Sequence, residues 1–435
     1  MSPDRAPNTR RMAGVGPTAD DIADAAVRLM DVVRRTPLDV SARLSREIGT
    51  TVRLKREDLQ VCRSYKVRGA HYLISTLDDE ERARGVVAAS AGNHAQGVAY
   101  ACRELRIRGT VFLPATTPRQ KRRRIADIAG GWVEQVVGGS TYDEAAHAAD
   151  AFAAETGAVF VHPFDDARTI AGQGTVALEV TAQLEIPPAL VVVPLGGGGL
   201  LAGTALWLRS RFPETLIVGV EPDGAASMQT ALRLGGPTAL PRVDGFVDGA
   251  AVGRVGELTF PIVRDLVDDI VAVPEGAVCT EMLDLYQTDG IIAEPAGALA
   301  SAGLLRYLPE SILERARSAP GDIVCLVSGG NNDVSRYADV VERSAVHEGL
   351  RHYFLVTFPQ KPGALRAFLE ETLAEGEDII QFEYTKKNNR ETGPALVGIE
   401  IEDPAALPAL LERMERSPIE VTKLAPDTPE FSFLL

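Results

Sequence analysis

Short apolar runs alternate with longer amphipathic segments from about residue 51 to residue 335. Such runs predict buried strands, because a strand between two layers of helices is apolar on both faces. We expect strands at 86–89, 111–113, 159–161, 190–193, 216–220 and 323–327. The alternation of strands with helices predicts a parallel sheet covered by helices on both faces. Thr18 is a candidate N-cap for a first helix over about 20–33.

The pattern changes between about residues 337 and 350, where the chain becomes polar and charged. Beyond this stretch the order of elements is predicted as β-α-β-β-α-β, the split β-α-β arrangement of a ferredoxin-like α+β domain. Pro362 falls in the first turn of a predicted helix, where a missing N–H costs little. We therefore expect an α/β domain over residues 17–340, a second domain over residues 350–435, and a disordered N-terminus over residues 1–16.

Composition narrows the classes of function. The 435-residue chain has 45% hydrophobic and 24% charged residues, which is typical of a soluble globular protein. Its net charge of −15 argues against nucleic-acid binding, and no apolar run is long enough to span a membrane. The basic run at 119–124 fits a solvated helix face. Four scattered cysteines without metal-ligand spacing, and an N-terminus without an apolar core, favour the reducing cytoplasm.

Two segments carry candidate chemistry in the first half of the chain. Lys66 lies at the start of a predicted helix, within Ser-Tyr-Lys-Val-Arg-Gly-Ala. A partly desolvated lysine amine can form a Schiff base with an aldehyde cofactor, although a lysine at a helix start is more often solvated surface. The segment 90–97, Ser-Ala-Gly-Asn-His-Ala-Gln-Gly, joins a buried strand to a helix. Its backbone N–H groups suit a carboxylate and Asn93 suits a phenolate oxygen, while helix capping alone is the alternative.

Two further segments follow predicted strands in the second half. The segment 196–200 holds four successive glycines and a leucine between a strand and a helix. Backbone N–H groups and the helix dipole at such a loop can hold a phosphate, and a plain flexible loop is the alternative. The loop has neither the lysine of a nucleotide P-loop nor the spaced glycines of a dinucleotide site. The segment 328–332, Ser-Gly-Gly-Asn-Asn, lies at the sheet edge where open α/β sheets bind ligands, although a structural turn would also explain it.

The order of these four segments resembles that of the fold-type II pyridoxal-phosphate enzymes. Further matching stretches lie at 172–175, 244–249 and 293–298. Within that group the chain resembles the biosynthetic threonine ammonia-lyases, or threonine dehydratases, from about Ile22 to the C-terminus. The resemblance implies a catalytic unit of two α/β subdomains, like the tryptophan synthase β chain. It also implies a single ACT-like regulatory domain at the C-terminus, for which 358–365 is the most telling match.

The resemblance implies a role for each motif. Lys66 would hold pyridoxal 5′-phosphate as a Schiff base and then act as a base near Cα of the substrate. Tyr65 would pack beside the cofactor ring, Asn93 would bond its 3′ oxygen, and Ser328 would meet its pyridine nitrogen. The cofactor phosphate would lie on Gly196, Gly197, Gly198, Gly199 and Leu200. The substrate carboxylate would lie against Ser90, Gly92, Asn93 and His94.

The chain departs from the family pattern at two places. Serine racemases of this group carry a second serine after the first, whereas this chain has Ala91, which predicts a dehydratase that racemises poorly. Relatives that bind a divalent cation use a glutamate, a backbone carbonyl and an aspartate. Glu221 and Ala225 match the first two positions, but Ser227 occupies the third. We therefore expect no metal site.

The implied function is the pyridoxal-phosphate-dependent loss of water and ammonia from L-threonine, and also L-serine, as the first committed step toward isoleucine. The ACT-like domain implies inhibition by isoleucine, countered by valine, and a homo-oligomer, either a tetramer or a dimer, is expected. The first candidates for the effector site are Pro362, Gly363, Leu365, Arg366 and Glu383. A serine dehydratase or a cysteine synthase would share Lys66 and the glycine loop but not the C-terminal domain. A non-enzymatic amino-acid sensor would need neither Lys66 nor the loop.

Overall fold

The computed structural model describes residues 16–384, 390–425, 428 and 431. The chain divides into two compact units, one with residues up to 274 and 285–332, the other with 275–284 and the residues from 333 onward. The disorder predicted for residues 1–16 concerns a segment that lies outside the described residues, apart from Gly16. Among the described helices, none is both long enough and apolar enough to cross a membrane.

The strands of the first unit form two sheets. In chain order they are β1 (Leu38–Val40), β2 (Val52–Arg56), β3 (Val86–Ala89), β4 (Gly109–Leu113), β5 (Val133–Val137), β6 (Val159–Phe160), β7 (Leu190–Pro194), β8 (Leu216–Pro222), β9 (Asp269–Val273) and β10 (Ile323–Val327). The larger sheet has the order β1-β2-β10-β7-β8-β9 and is parallel except at β1. The smaller sheet, β5-β4-β3-β6, is parallel throughout, which confirms the predicted α/β architecture.

Helices pack against both sheets. In chain order they are α1 (Ala19–Leu29), α2 (Ala42–Ile48), α3 (Lys66–Ser75), α4 (Asp79–Arg84), α5 (Asn93–Leu105), α6 (Arg119–Ala129), α7 (Tyr142–Thr156), α8 (Ala167–Gln183), α9 (Gly199–Arg211), α10 (Ser227–Leu234), α11 (Thr259–Leu266), α12 (Glu275–Gln287), α13 (Pro295–Arg306) and α14 (Glu310–Ser318). Most of α12 belongs to the second unit. The side chain of Thr18 accepts a hydrogen bond from the backbone N–H of Asp21, which confirms the predicted cap of α1.

Close backbone contact fixes the helix that begins at Lys66. A Cβ on Gly172 of α8 would lie 2.6 Å from Cα of Gly69 in α3, so the two helices touch through their glycines. A Cβ on Gly97 of α5 would lie 3.1 Å from the backbone oxygen of Lys66. Contacts this tight leave little room for side chains, and they hold α3 against both neighbouring helices.

A buried ionic cluster also anchors α3. Arg68 and Glu57 are fully buried, and Nη2 of Arg68 lies 2.7 Å from Oε1 of Glu57. Glu179 of α8 receives both Nη1 of Arg68, at 2.7 Å, and Nζ of Lys55, at 2.8 Å. Burial alone would raise the pKa of Glu57, but Arg68, Lys55 and the Thr36 hydroxyl together outweigh it, and the pKa is lowered. The cluster therefore ties β2, α3 and α8 together below the N-terminus of α3.

The second unit has the predicted ferredoxin-like order. After α15 (Tyr337–His347) come β11 (Arg351–Pro359), α16 (Ala364–Thr372), β12 (Glu377–Tyr384), β13 (Thr392–Ile401), α17 (Leu407–Arg416) and β14 (Glu420–Leu424). Its sheet has the order β12-β13-β11-β14 and is antiparallel. Phe354 and Val397 of the sheet pack with Phe368 of α16 and Leu410 of α17 in one apolar core. The predicted β-α-β-β-α-β order is confirmed.

Candidate active site

Lys66 is the first residue of α3 and is half-buried. Its Nζ donates to the backbone oxygen of Pro163 at 3.1 Å and lies 5.3 Å from the centre of the Tyr65 ring. Burial lowers the pKa of Lys66 to about 8, although the nearby Glu294 carboxylate acts in the opposite direction. The amine therefore loses its proton more readily than an ordinary lysine, as a Schiff-base lysine or a general base requires.

Asn93, the first residue of α5, lies at the carboxyl end of β3. Its Nδ2 donates to Oε1 of Glu294 at 2.6 Å, and its Oδ1 accepts from Nδ2 of Asn331 at 2.8 Å. Asn331 also donates from Nδ2 to the backbone oxygen of Cys62 at 2.8 Å. Three segments that are far apart in sequence therefore meet at one amide.

Ser328 follows β10 and lies beside the lysine segment. Its hydroxyl donates to the backbone oxygen of Ala296 at 3.1 Å, and its own backbone oxygen accepts from the N–H of Tyr65 at 3.1 Å. The structure thus brings Ser328 next to the residue that precedes Lys66. The contact joins the carboxyl end of β10 to the N-terminus of α3.

The glycine loop connects β7 to α9. Gly198 has a φ of +96°, which favours glycine, and Gly197 to Leu200 are buried. The backbone N–H groups of Gly196 to Leu200 donate to no other described residue. The hydroxyl of Thr259 donates to the backbone oxygen of Gly197 at 2.7 Å and supports the loop from behind. A row of unpaired N–H groups at a helix N-terminus is a site for an anion.

The segment 162–165 links Lys66 to the glycine loop, and sequence reasoning missed it. Pro163 accepts the hydrogen bond from Lys66, and the ring of Phe164 lies against the loop, where a Cβ on Gly197 would be 2.3 Å away. The carboxylate of Asp165 accepts from the N–H groups of Glu257 and Leu258 at 2.9 and 2.8 Å. The sequence feature that could have pointed to the segment 162–165 is its position just after β6, at the edge where ligands bind in parallel sheets.

Comparisons with known proteins agree with this geometry. Residues 29–329 match the family described as pyridoxal-phosphate dependent enzyme, and residues 342–434 match the C-terminal regulatory domain of threonine dehydratase. The biosynthetic L-threonine dehydratase of Mycobacterium tuberculosis is 57% identical over 418 residues, which are 95% of each chain. The chain belongs to the biosynthetic threonine dehydratase family of pyridoxal-phosphate-dependent enzymes. The family predicted from the motifs is confirmed.

Solved structures of threonine dehydratase relatives show the same fold. The processed form of threonine deaminase isoform 2 from Solanum lycopersicum aligns with a TM-score of 0.68 and 37% identity, over 79% of this chain and 99% of its own. Maize serine racemase aligns with a TM-score of 0.69 and 32% identity, over 76% of this chain and 99% of its own. The predicted fold-type II catalytic unit is therefore confirmed.

The donor groups of the site fit pyridoxal phosphate, the cofactor of the threonine dehydratase family. The deciding observation is the run of unpaired N–H groups from Gly196 to Leu200, because main-chain donors left without a partner are costly unless a ligand accepts their hydrogen bonds. The lysine amine with its lowered pKa suits an aldehyde. Nitrogen donors at Asn93 and a neutral hydroxyl at Ser328 complete the set.

The residues predicted to meet the substrate carboxylate lie around the start of α5. The N–H of Gly92 donates to the hydroxyl of Ser90 at 3.2 Å, whereas the N–H groups of Asn93 and His94 donate to no other described residue. Nε2 of His94 contacts the backbone oxygen of Val161 at 2.7 Å, so this nitrogen donates. Burial lowers the pKa of His94 to about 3, so its imidazole is neutral at physiological pH.

Among the residues at the positions of the cation site in relatives, the carboxylate of Glu221 is engaged within the protein. The carboxylate of Glu221 accepts from the N–H groups of Met228 and Gln229 at 3.0 and 2.8 Å, at the start of α10. The buried hydroxyl of Ser227 has no partner among the described residues. Within the same residues, no group of three or more histidines, cysteines, aspartates or glutamates is placed to hold a metal ion.

The regulatory unit contains a cavity of about 630 Å³ between α16 and its sheet. It is lined by Phe358, Pro359, Lys361, Gly363, Ala364, Leu365, Arg366, Leu369, Glu370, Phe382 and Tyr384. Three of the predicted effector residues are in this lining, and Pro362 lies between two lining residues. Side chains alternate along β12, so Phe382 and Tyr384 face the cavity while Glu383 points to the other side, where it accepts from Gln381 at 2.8 Å.

Proposed function

We propose that this protein deaminates L-threonine to 2-oxobutanoate and ammonia, the first committed step toward isoleucine, and that L-serine is a second substrate. The observation that carries the proposal is the half-buried Lys66, with its lowered pKa, together with a glycine loop whose backbone N–H groups donate to no other described residue. Support for threonine comes from the 57% identical relative that is named a biosynthetic L-threonine dehydratase.

Each group of the site has a proposed partner on the cofactor. Lys66 bonds the aldehyde carbon, Tyr65 packs beside the ring, Asn93 bonds the 3′ oxygen and Ser328 meets the pyridine nitrogen. The phosphate is held by Gly196, Gly197, Gly198, Gly199 and Leu200. When bound, the cofactor withdraws electrons from the substrate and so allows the proton on Cα to leave. The substrate carboxylate lies at the start of α5, against Ser90, Gly92, Asn93 and His94.

Lys66 moves the proton. With its amine free, Lys66 would take the proton from Cα of the substrate, which a pKa of about 8 allows at neutral pH. The β hydroxyl leaves with a proton as water. The resulting 2-aminocrotonate takes up a proton at Cβ and a water at Cα, giving 2-oxobutanoate and ammonia. The neutral hydroxyl of Ser328 does not stabilise a protonated ring as a carboxylate would, which favours elimination over transamination.

An assay of the purified protein with added pyridoxal phosphate tests the reaction. With L-threonine, we expect a 2-oxo acid and ammonia in equal amounts, and neither after Lys66→Ala. Absence of a 2-oxo acid from a wild-type protein that binds the cofactor would refute the proposed reaction.

We propose that isoleucine inhibits by binding in the cavity of the regulatory unit. The lining is apolar at Phe358, Leu369 and Phe382, which suits a branched aliphatic side chain, while Lys361 and Glu370 offer charges for its carboxylate and ammonium groups. Pro362, Gly363, Leu365, Arg366 and Glu383 remain the predicted regulatory residues. An effector inhibits only if it binds two states of the enzyme differently.

Filling the cavity tests the effector site. Leu369→Trp should weaken isoleucine binding, measured by calorimetry, and leave uninhibited turnover of threonine near the wild-type rate. Leu355→Trp, on a half-exposed side chain of β11 outside the cavity lining, is the matched control. Unchanged isoleucine affinity in the cavity variant would place the effector elsewhere.

Further proposals concern the domains, the second effector and the oligomeric state. We assign residues 17–340 to catalysis and residues 350–435 to regulation. We also propose that valine counters isoleucine and that the protein is a homo-oligomer, either a tetramer or a dimer. The four cysteines, all within the described residues, are buried and form no disulfide bond, which supports a place in the reducing cytoplasm. The ratio of light-scattering mass to the 46.5 kDa chain mass tests the oligomeric state.

A further inference from the structure

Glu294 is a buried carboxyl group that the proposed mechanism does not use. It is 4% exposed and immediately precedes α13. Its backbone N–H donates to the oxygen of Gly329 at 3.1 Å, and a Cβ on Gly329 would lie 2.3 Å from its Oε1. The carboxyl group is therefore held directly against the loop that follows β10.

Some neighbours of the Glu294 carboxyl group favour its ionised form, and others oppose it. Burial and the Asp248 carboxylate raise the pKa of Glu294 to about 7, whereas hydrogen bonds from Asn93 and from the backbone N–H of Asn331 stabilise the anion. Lys121, which lies 2.6 Å from Oδ2 of Asp248, acts in the same direction as those donors. The hydrogen bond from Asn93 and the one from the backbone N–H of Asn331 are donated to the carboxyl group, the geometry that a carboxylate requires.

The hydrogen bonds around Asn93 leave one orientation for its amide. A carboxylate only accepts, so the atom of Asn93 that lies 2.6 Å from Glu294 must be the nitrogen. The oxygen of that amide then accepts from Nδ2 of Asn331, whose second N–H is used by the backbone oxygen of Cys62. The amide of Asn93 therefore keeps one uncommitted N–H, and its oxygen is directed at Asn331.

We propose that Glu294 is a positioning residue that holds the amide of Asn93 with its N–H toward the phenolate oxygen of the cofactor. The inference rests on the proposed function, since it takes Asn93 as the partner of that oxygen. An anionic phenolate needs a donor. If the amide of Asn93 were flipped, its carbonyl oxygen would face the phenolate and repel it. Glu294 acts through Asn93 and does not itself touch the cofactor.

Titration of the apoprotein with pyridoxal phosphate tests this role. Glu294→Gln keeps the size of the side chain but removes its charge, and its amide can donate as well as accept. The charge-assisted hydrogen bond that holds the nitrogen of Asn93 is then lost, and Asn331 alone orients the amide. We expect the dissociation constant for the cofactor to rise about tenfold, the scale of a lost hydrogen bond to a charged group. We also expect the visible absorption band of the bound cofactor to lose intensity to its near-ultraviolet band, because the phenolate is less well stabilised.

A double-mutant cycle with Asn93→Ala separates positioning from a general loss of structure. If Glu294 acts through Asn93, adding Glu294→Gln to Asn93→Ala should change cofactor affinity by less than about twofold. The same tenfold loss in both backgrounds would overturn the proposal, as would wild-type affinity and spectrum in Glu294→Gln.

Glu221→Gln is the matched control, because Glu221 is also a buried glutamate that accepts from two N–H groups and whose pKa is raised to about 7 by burial. It should bind the cofactor like the wild type, and an equal loss there would show a general effect of neutralising a buried carboxylate. The titration uses no substrate, so failure of the threonine assay would count against the proposed reaction and not against Glu294.

Discussion

Replacing Gly197 by alanine should damage the proposed phosphate site by steric overlap alone. The added Cβ would lie 2.3 Å from ring atoms of Phe164, whereas carbon atoms in contact are normally about 3.5 Å apart. The loop or the ring must therefore move by about 1.2 Å, the difference between those two distances. The loop cannot simply move backward, because the hydroxyl of Thr259 already holds the oxygen of Gly197 at 2.7 Å.

Two costs follow from that displacement. Forcing an extra methyl group into a packed site typically costs about 1–3 kcal/mol of stability. Loss of one N–H bond to the doubly charged phosphate would cost about 1.5–3 kcal/mol of binding free energy, or roughly a ten- to hundredfold rise in the dissociation constant. Titration of the apoprotein with pyridoxal phosphate measures the second cost, and urea unfolding measures the first.

Gly236→Ala is the matched control, since no atom lies within 4 Å of a Cβ built there and Gly236 has no positive φ. This change should leave cofactor affinity unaltered and raise the free energy of unfolding slightly, by about 0.4–1 kcal/mol, because alanine has less freedom in the unfolded chain. Adding Phe164→Leu to Gly197→Ala should recover part of the lost affinity. Wild-type affinity and stability in Gly197→Ala alone would refute the steric reasoning.

Three further outcomes are expected. Arg68→Met should lower the free energy of unfolding by about 3–5 kcal/mol in urea titration, because it leaves the fully buried Glu57 carboxylate without its ion-pair partner; a loss below about 1 kcal/mol would contradict the buried pairing. The wild type should convert little L-serine to D-serine, as measured by chiral chromatography, because Ala91 replaces the second serine of the racemases; rapid racemisation would contradict this expectation. Removing the residues after about Arg351 should abolish isoleucine inhibition while 2-oxobutanoate is still made, and persistent full inhibition would locate the effector outside the regulatory unit.

The pattern of apolar positions predicted much of the fold but not all of it. Apolar runs of strand length between amphipathic helices predicted a parallel sheet, and the change of pattern after about residue 337 predicted the ferredoxin-like unit. The division of the first unit into two sheets was implied only by the family resemblance. Candidate site residues were found where the chemistry is local, as in the loop from Gly196 to Leu200. There, sequence order alone places consecutive N–H groups at the start of a helix.

Residues whose role depends on distant partners were harder to predict. Glu294 lies 201 positions from Asn93, and nothing in its own stretch shows that the two side chains meet. Phe164 carries no polar group, so only its contact with the glycine loop reveals it. For Glu383 the sequence did contain a signal. Side chains alternate along a strand, so Glu383 was expected on the face opposite Phe382 and Tyr384 and away from a cavity that those two residues line.

The ionic cluster below α3 also constrains how this chain can change over generations. Neutralising Lys55, Glu57 or Arg68 alone strands a charge in a place that water does not reach. The cluster can therefore be replaced only by two or more substitutions that occur together, which are much rarer than single substitutions. Lys66, the proposed catalytic lysine, thus lies two residues from positions whose side chains constrain one another independently of the proposed reaction.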